Sequence, residues 1–125
     1  MAKRILIVDD EAPVRLMLRR FLENKGYSVL EATGGHEALE VYNQDKPDAV
    51  FLDVRMPGKD GMETLLELKA LDPKASVIMV TAVHEEETGM KALEQGAFDY
   101  ITKPIDSDYL ELSLMTKLEM LGDDE

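Results

Sequence analysis

Ala49-Val50-Phe51-Leu52-Asp53 decides the fold: four apolar residues end abruptly in a carboxylate, and the turn Val54-Arg55-Met56-Pro57-Gly58-Lys59-Asp60-Gly61 follows. A run this short and this apolar, bounded by Pro47-Asp48 and Pro57-Gly58, fits a central strand buried on both faces better than a helix. Such strands belong to parallel sheets covered by helices, which bind their ligands at the carboxyl ends of the strands. Asp53 stands at that end. Taken alone it could equally cap the next segment, as Asp often does after a strand; the other strand ends decide between the two.

Upstream, Ile5-Leu6-Ile7-Val8 is a second apolar run ending in acid, at Asp9-Asp10-Glu11. Pro13 suits a first helical turn, and Val14, Met17, Leu18, Phe21 and Leu22 then recur three and four apart until Gly26. That pattern predicts one amphipathic helix with a C-terminal glycine. Tyr27 to Ala32 reads as a more polar strand, and Thr33-Gly34-Gly35 leads into a helix carrying Ala38, Leu39 and Tyr42. Downstream, Leu65, Leu66, Leu68 and Leu71 mark a third helix that Asp72-Pro73 ends. Val77-Ile78-Met79-Val80 is another apolar strand, closed by Thr81, and Glu85 to Glu94 gives a helix with acids in its first turn, where the helix dipole favours them. Gly96 ends it; Tyr100-Ile101-Thr102 forms the last strand, running into Lys103-Pro104, and Ser107 is the expected cap of a final helix reaching about Leu121.

Strand starts near residues 5, 27, 49, 77 and 99 are separated by 22, 22, 28 and 22, close to one strand plus one crossover helix. Right-handed crossovers place helices on both faces, so the alternation predicts an α/β, doubly wound, three-layer (βα)5 domain over residues 1–125. The polar second strand and the last strand, ending at proline, read as edges, which gives the flavodoxin-like order 2-1-3-4-5.

A chain of 125 residues with 45% hydrophobic and 32% charged residues suits one soluble domain with a real core. Without cysteine there is no disulfide framework, thiol nucleophile or cysteine metal site, and the apolar run at residues 5–8 is too short for a leader or a membrane span. These features set the expectation of a cytoplasmic protein with no membrane association. The net charge of −12 repels nucleic acid and excludes direct binding to it as the expected role. Locally the charge differs: between Glu11 and Gly26 four basic residues (Arg15, Arg19, Arg20, Lys25) face two acids (Glu11, Glu23), a local +2.

In this topology the strand ends bring Asp9, Asp10, Asp53, Thr81 and Lys103 to one rim. Like charges about 4 Å apart repel by roughly 4 kcal/mol at an effective dielectric near 20, so three acids gathered there need a bound cation or protonation. Oxygen-only, partly open ligation suits Mg²⁺, which keeps waters and shares its shell with phosphate. A carboxylate beside such an ion can act as a nucleophile toward phosphorus. Asp53 is the expected acceptor, with Lys103 offsetting charge on the phosphoryl oxygens and Thr81 donating to one of them.

At these residues the sequence resembles the receiver domain of bacterial two-component response regulators. The matching motifs are Ile5-Leu6-Ile7-Val8-Asp9-Asp10-Glu11, the loop from Asp53 through Pro57 to Gly61, Val80-Thr81-Ala82, and Gly96-Ala97-Phe98-Asp99-Tyr100 leading to Lys103-Pro104. All four occur in order, and the resemblance spans nearly the whole chain. It implies a phosphoprotein of signal transduction: an aspartyl phosphate on Asp53, and Mg²⁺ held by Asp10, Asp53 and the backbone carbonyl of Arg55, with Asp9 contributing partly through water. It also implies phosphoryl contacts from Thr81 and Lys103, a cis bond before Pro104, and a switch in which Thr81 moves and Tyr100 turns inward. That switch would alter the face made by the fourth helix, last strand and last helix. The implied donors are a histidine kinase, a phosphotransfer protein or a small phosphodonor; the implied recipient is an output protein or effector domain. Such a chain is a regulator that assists its own phosphoryl transfer and autodephosphorylation, not an enzyme with a separate substrate.

Two other classes share parts of the pattern. A Mg²⁺-dependent phosphohydrolase of the haloacid dehalogenase type also uses an Asp nucleophile, but at the end of its first strand and with a second Asp two residues on, where Arg55 stands here. A flavin-binding electron carrier has the fold, but Asp9-Asp10-Glu11 would repel its phosphate. His36 and His84 read as surface residues, and the eight methionines as mostly core filler. Leu16, opposite the apolar stripe and ringed by Arg15, Arg19 and Arg20, is the expected kinase-docking residue of the first helix. On the last helix Leu110, Leu114, Leu118 and Leu121 form a core stripe, while Leu112, Met115 and Met120 fall outside it and suggest a face for an output partner or a phosphorylation-governed homodimer.

Overall fold

The computed structural model describes residues 3–81, 86–106, 108–113 and 116. Its elements run β1 (Arg4–Val8), α1 (Ala12–Asn24), β2 (Ser28–Ala32), α2 (Gly35–Asp45), β3 (Ala49–Asp53), α3 (Gly61–Leu71), β4 (Val77–Thr81), α4 (Glu86–Glu94) and β5 (Asp99–Thr102). Residues 108–113 are helical and are called α5 below. All strand pairings are parallel, in the order β2-β1-β3-β4-β5, as the strand spacing and the polarity of the edge strands predict.

Alternation along the central strands builds two cores. Leu6, Val8, Val50, Leu52, Val77 and Met79 face Ala38, Tyr42, Leu65, Leu68 and Ala92 from α2, α3 and α4. Ile5, Ile7, Phe51, Ile78 and Ile101 point the other way, onto Leu18 and Leu22 of α1 and Leu110 of α5. Every residue of β3 is buried, so the ladder that delivers Asp53 is shielded from water on both faces.

Helix ends follow local chemistry. After α1, Gly26 takes a φ of 94°, its N–H donates to the Glu23 carbonyl at 3.0 Å, and that of Tyr27 donates to the Leu22 carbonyl at 3.1 Å. This is the paired closure that favours glycine. Asp60 and Glu63 form a reciprocal capping box at the start of α3. Gly61, just inside that box, could carry no side chain: a Cβ would lie 2.3 Å from the Asp53 carbonyl oxygen, so α3 begins directly against the end of β3.

One side-chain expectation needs correction. Met17, assigned to the buried stripe of α1, is 52% exposed, and Leu66 and Leu71 of α3 are also exposed; the sheet covers only a narrow arc of each helix, and these residues lie beyond it. At the start of α5 the Asp106 carboxylate accepts from the N–H groups of Asp108 and Tyr109 at 2.9 and 3.3 Å. Ser107, Leu114, Met115, Leu118, Met120 and Leu121 lie outside the described residues.

Candidate functional site

Register alone places the acids together. Val8 is opposite Leu52, so Asp9 and Asp53, each one residue further along, come side by side. Asp53 is opposite Val80, and Thr81 opposite Thr102, which Lys103 follows. Carboxylate oxygens of Asp9, Asp10 and Asp53 all lie within 4.8 Å of one another. Asp9 and Asp53 are buried, whereas Asp10 is exposed at the mouth.

Each side chain is held by its own element. Asp9 accepts the Glu11 N–H at 2.8 Å through Oδ1, which leaves Oδ2 to face the pocket. Asp53 accepts the Arg55 N–H at 3.3 Å. Across from them the Lys103 ammonium stands 3.4 Å from Asp53, 3.8 Å from Asp9 and 3.8 Å from Glu11, and the Lys103-Pro104 bond is cis, as the resemblance implied. Burial, then the charge of Asp9, raises the Asp53 carboxyl above its usual range despite the opposing pull of Lys103 and the Arg55 N–H. Burial works against the Lys103 charge, but Asp53, Asp9 and Glu11 together outweigh it and the ammonium is held more firmly than an ordinary lysine's.

The donor set fits a small hard cation. It is all oxygen, and ligands about 2.0–2.1 Å from one ion lie up to about 4.2 Å apart, compatible with the spread of the three carboxylates. Exposure of Asp10 leaves one side open to water or a phosphoryl group. Thr81 ends β4 as expected, although its hydroxyl is outside the described side chains, and so is the whole of His84; His36 is exposed. Tyr100 is half-buried on β5, and its ring lies on α4 at Gly89, where a Cβ would come within 2.5 Å of the ring carbon Cδ2. Gly89 escaped the sequence reading, although a glycine inside a helix, costing about 1 kcal/mol against Ala, is itself a sign of close approach.

An acid cluster with a facing lysine, at the carboxyl rim of a parallel 2-1-3-4-5 sheet, places the molecule among the flavodoxin-like signalling domains rather than the dinucleotide or flavin binders of related topology. The chain belongs to the response regulator receiver domain family, whose model matches residues 5–115. It is 42% identical over 105 residues to the chemotaxis protein CheY of Thermotoga maritima, covering 83% of this chain and 88% of that protein. It is also 42% identical over 117 residues to the regulatory protein AtoC of Escherichia coli, covering 94% of this chain but only 25% of AtoC. The chain thus spans about a quarter of that relative's length and most of CheY. The crystal structure of the receiver domain of NtrX from Brucella abortus superposes with a TM-score of 0.88 at 35% identity, over 92% of this chain and 98% of that one. Receiver domains are signalling switches that accept phosphoryl groups and work with histidine kinases and output domains. Among the described residues, no helix is long and apolar enough to cross a membrane.

Proposed function

We propose that residues 1–125 form one receiver domain in which Asp53 accepts a phosphoryl group from a histidine kinase, a phosphotransfer protein or a small donor such as acetyl phosphate. One observation carries this reading: a buried carboxylate flanked by two more acids and faced by an ammonium at 3.4 Å. A carboxylate oxygen of Asp53 attacks phosphorus, an acyl phosphate forms, and the bond to the donor's nitrogen or oxygen breaks with its electron pair leaving on the donor. Asp9, Asp10, Asp53 and the Arg55 carbonyl would hold Mg²⁺, which offsets the charge gathering on the phosphoryl oxygens. Lys103 meets the same charge from the opposite side, and Thr81 supplies a hydroxyl donor at the end of β4.

The same reading makes Thr81 and Tyr100 the switch that remodels the face of α4, β5 and α5 for an output partner, effector domain or second copy, in a cytoplasmic setting. Autodephosphorylation is a separate step in which water attacks phosphorus, the acyl phosphate bond breaks with its electron pair returning to the Asp53 carboxylate, and inorganic phosphate leaves. The kinase would dock on α1 at Leu16, which is 48% exposed. Its basic surround is thinner than the sequence suggests, because Arg15 and Arg19 are both paired with Glu31. A phosphohydrolase of the haloacid dehalogenase type is not favoured, since the candidate nucleophile ends β3 and Arg55 stands where its second acid would be.

Incubation with acetyl phosphate and Mg²⁺ should add one phosphoryl group, read as a mass shift on the peptide containing Asp53. Chelation of the metal should prevent it, and Asp53→Asn should abolish it. Labelling of the Asn variant at the wild-type rate would place the acceptor elsewhere.

A further inference from the structure

A guanidinium lies behind the acid cluster. Arg15 of α1 has a side chain only 16% exposed, and its Nε donates to Glu31 of β2 at 2.9 Å while Nη1 donates to the Asp9 carbonyl at 2.8 Å. Glu31 is itself gripped from its other oxygen by Arg19 Nε at 2.6 Å, and Arg19 goes on to the Val29 carbonyl at 3.3 Å and Glu23 at 3.2 Å. Asp9 is therefore held at three points: its N–H on the Ala32 carbonyl at 3.2 Å, its Oδ1 on the Glu11 N–H, and its carbonyl on Arg15.

The third contact bears on the next residue. The Asp9 carbonyl belongs to the planar peptide joining Asp9 to Asp10, so fixing that oxygen fixes the plane and the direction in which Asp10 leaves the chain. Asp10 is the exposed acid of the three, and no hydrogen bond to its carboxylate occurs among the described residues. We propose that Arg15 is a positioning residue of the cation site, aiming the Asp10 carboxylate through the Asp9 carbonyl while Glu31 fixes the guanidinium in the orientation this requires. The task needs donors pointing two ways from one rigid plane, which a lysine does not provide. This inference rests on the Mg²⁺ reading above.

Electrostatics and positioning predict opposite signs. Deleting the Arg15 charge makes the pocket more negative and on charge alone tightens cation binding; losing the hold on Asp10 loosens it. Arg19 is a control within the same seam, since it pairs with the same Glu31 but, among the described residues, bonds to none of the acid cluster. Mg²⁺ affinity would be measured by titration calorimetry on the whole chain, unphosphorylated, alongside the thermal midpoint. Arg15→Met and Arg15→Lys should each weaken Mg²⁺ about tenfold, the scale of losing a group that orients a metal ligand, and Arg19→Met should stay within about twofold, although all three lower the midpoint. Wild-type affinity in Arg15→Met, recovery in Arg15→Lys, or an equal loss in Arg19→Met would overturn the assignment. A wild-type protein that binds no Mg²⁺ would remove the cation reading and this inference together.

Discussion

Asp53 and Asp72 show how surroundings drive two carboxylates in opposite directions. Asp53 is raised by burial and by Asp9, so its part of the stability declines as pH climbs through a folded value above the ordinary range. Asp72, closing α3, is lowered by the Tyr42 hydroxyl, which donates to it at 2.8 Å, and by the Lys74 N–H. A depressed acid contributes stability above its ordinary value near 3.8, and that contribution vanishes as pH falls through the lower, folded value. Tyr42 is pushed the other way, far above an ordinary tyrosine, by burial first and then by Asp72, so its share fades only as pH rises beyond about 10. Tyr42→Phe should therefore lower stability near neutrality by about 1 kcal/mol, one net hydrogen bond. It should also flatten the acid limb of the stability curve below the usual carboxylate range. Urea unfolding at stepped pH measures both, and wild-type and variant curves that stay parallel through the acid limb would show that the pair does not set Asp72.

Among the elements, α4 and β5 are fitted to one another at Gly89. Alanine there would place Cβ 2.5 to 2.8 Å from three carbons of the Tyr100 ring. Overpacking of this kind costs about 1–3 kcal/mol, more than the gain of about 1 kcal/mol from replacing a helical glycine. Gly89→Ala should thus destabilise the wild type yet become neutral or stabilising in a Tyr100→Ala background, a non-additivity that a double-mutant cycle reads directly. An equal cost in both backgrounds would mean that the ring is not what the methyl group meets. The elements themselves were legible because each has a strong local cause: apolar runs for β1, β3 and β4, and glycine closures at Gly26 and Gly96. The rim residues were legible because strand ends in a parallel sheet must converge. What sequence alone did not resolve were choices between neighbours of equal propensity. Asp106 and Ser107 can both cap, and Met17 and Leu18 both fit an apolar stripe, although only Leu18 is covered when α1 packs on the sheet. Arg15 was visible only as charge, since its partners, the Asp9 carbonyl just past β1 and Glu31 on β2, come together through strand register rather than through spacing along the helix.

For the molecule as a whole, several large apolar side chains are exposed among the described residues of a chain of charge −12, Leu66 and Leu71 of α3 included, and two groups of them bear on the proposed partners. One is Leu16 and Met17 on α1, the candidate kinase side; the other is Met90 and Leu93 on α4 with Tyr109 and Leu112 on α5. The second lies on the elements that flank Tyr100 and is tied to β5 through Asp99, which accepts from Tyr109 at 2.6 Å and Ser113 at 2.8 Å. Tyr100 follows Asp99 directly, so a change in the ring's position bears on the anchor of α5. If that face pairs two copies after phosphorylation, association must overcome like net charges. Those are screened within about 8 Å at physiological ionic strength, so pairing should strengthen with added salt, the reverse of a contact held by opposite charges. Phosphorylation can drive it only through a difference in affinity between the two states. Sedimentation of the Mg²⁺–beryllium fluoride adduct, which imitates the phosphoryl group, should show a dimer at moderate salt where the untreated protein is monomeric. Leu112→Glu, placing a charge at a residue 63% exposed and so harmless to the core, should restore the monomer while leaving acetyl phosphate labelling of Asp53 unchanged. A monomer in both states up to high concentration would remove self-association and leave this face to an output partner of different sequence.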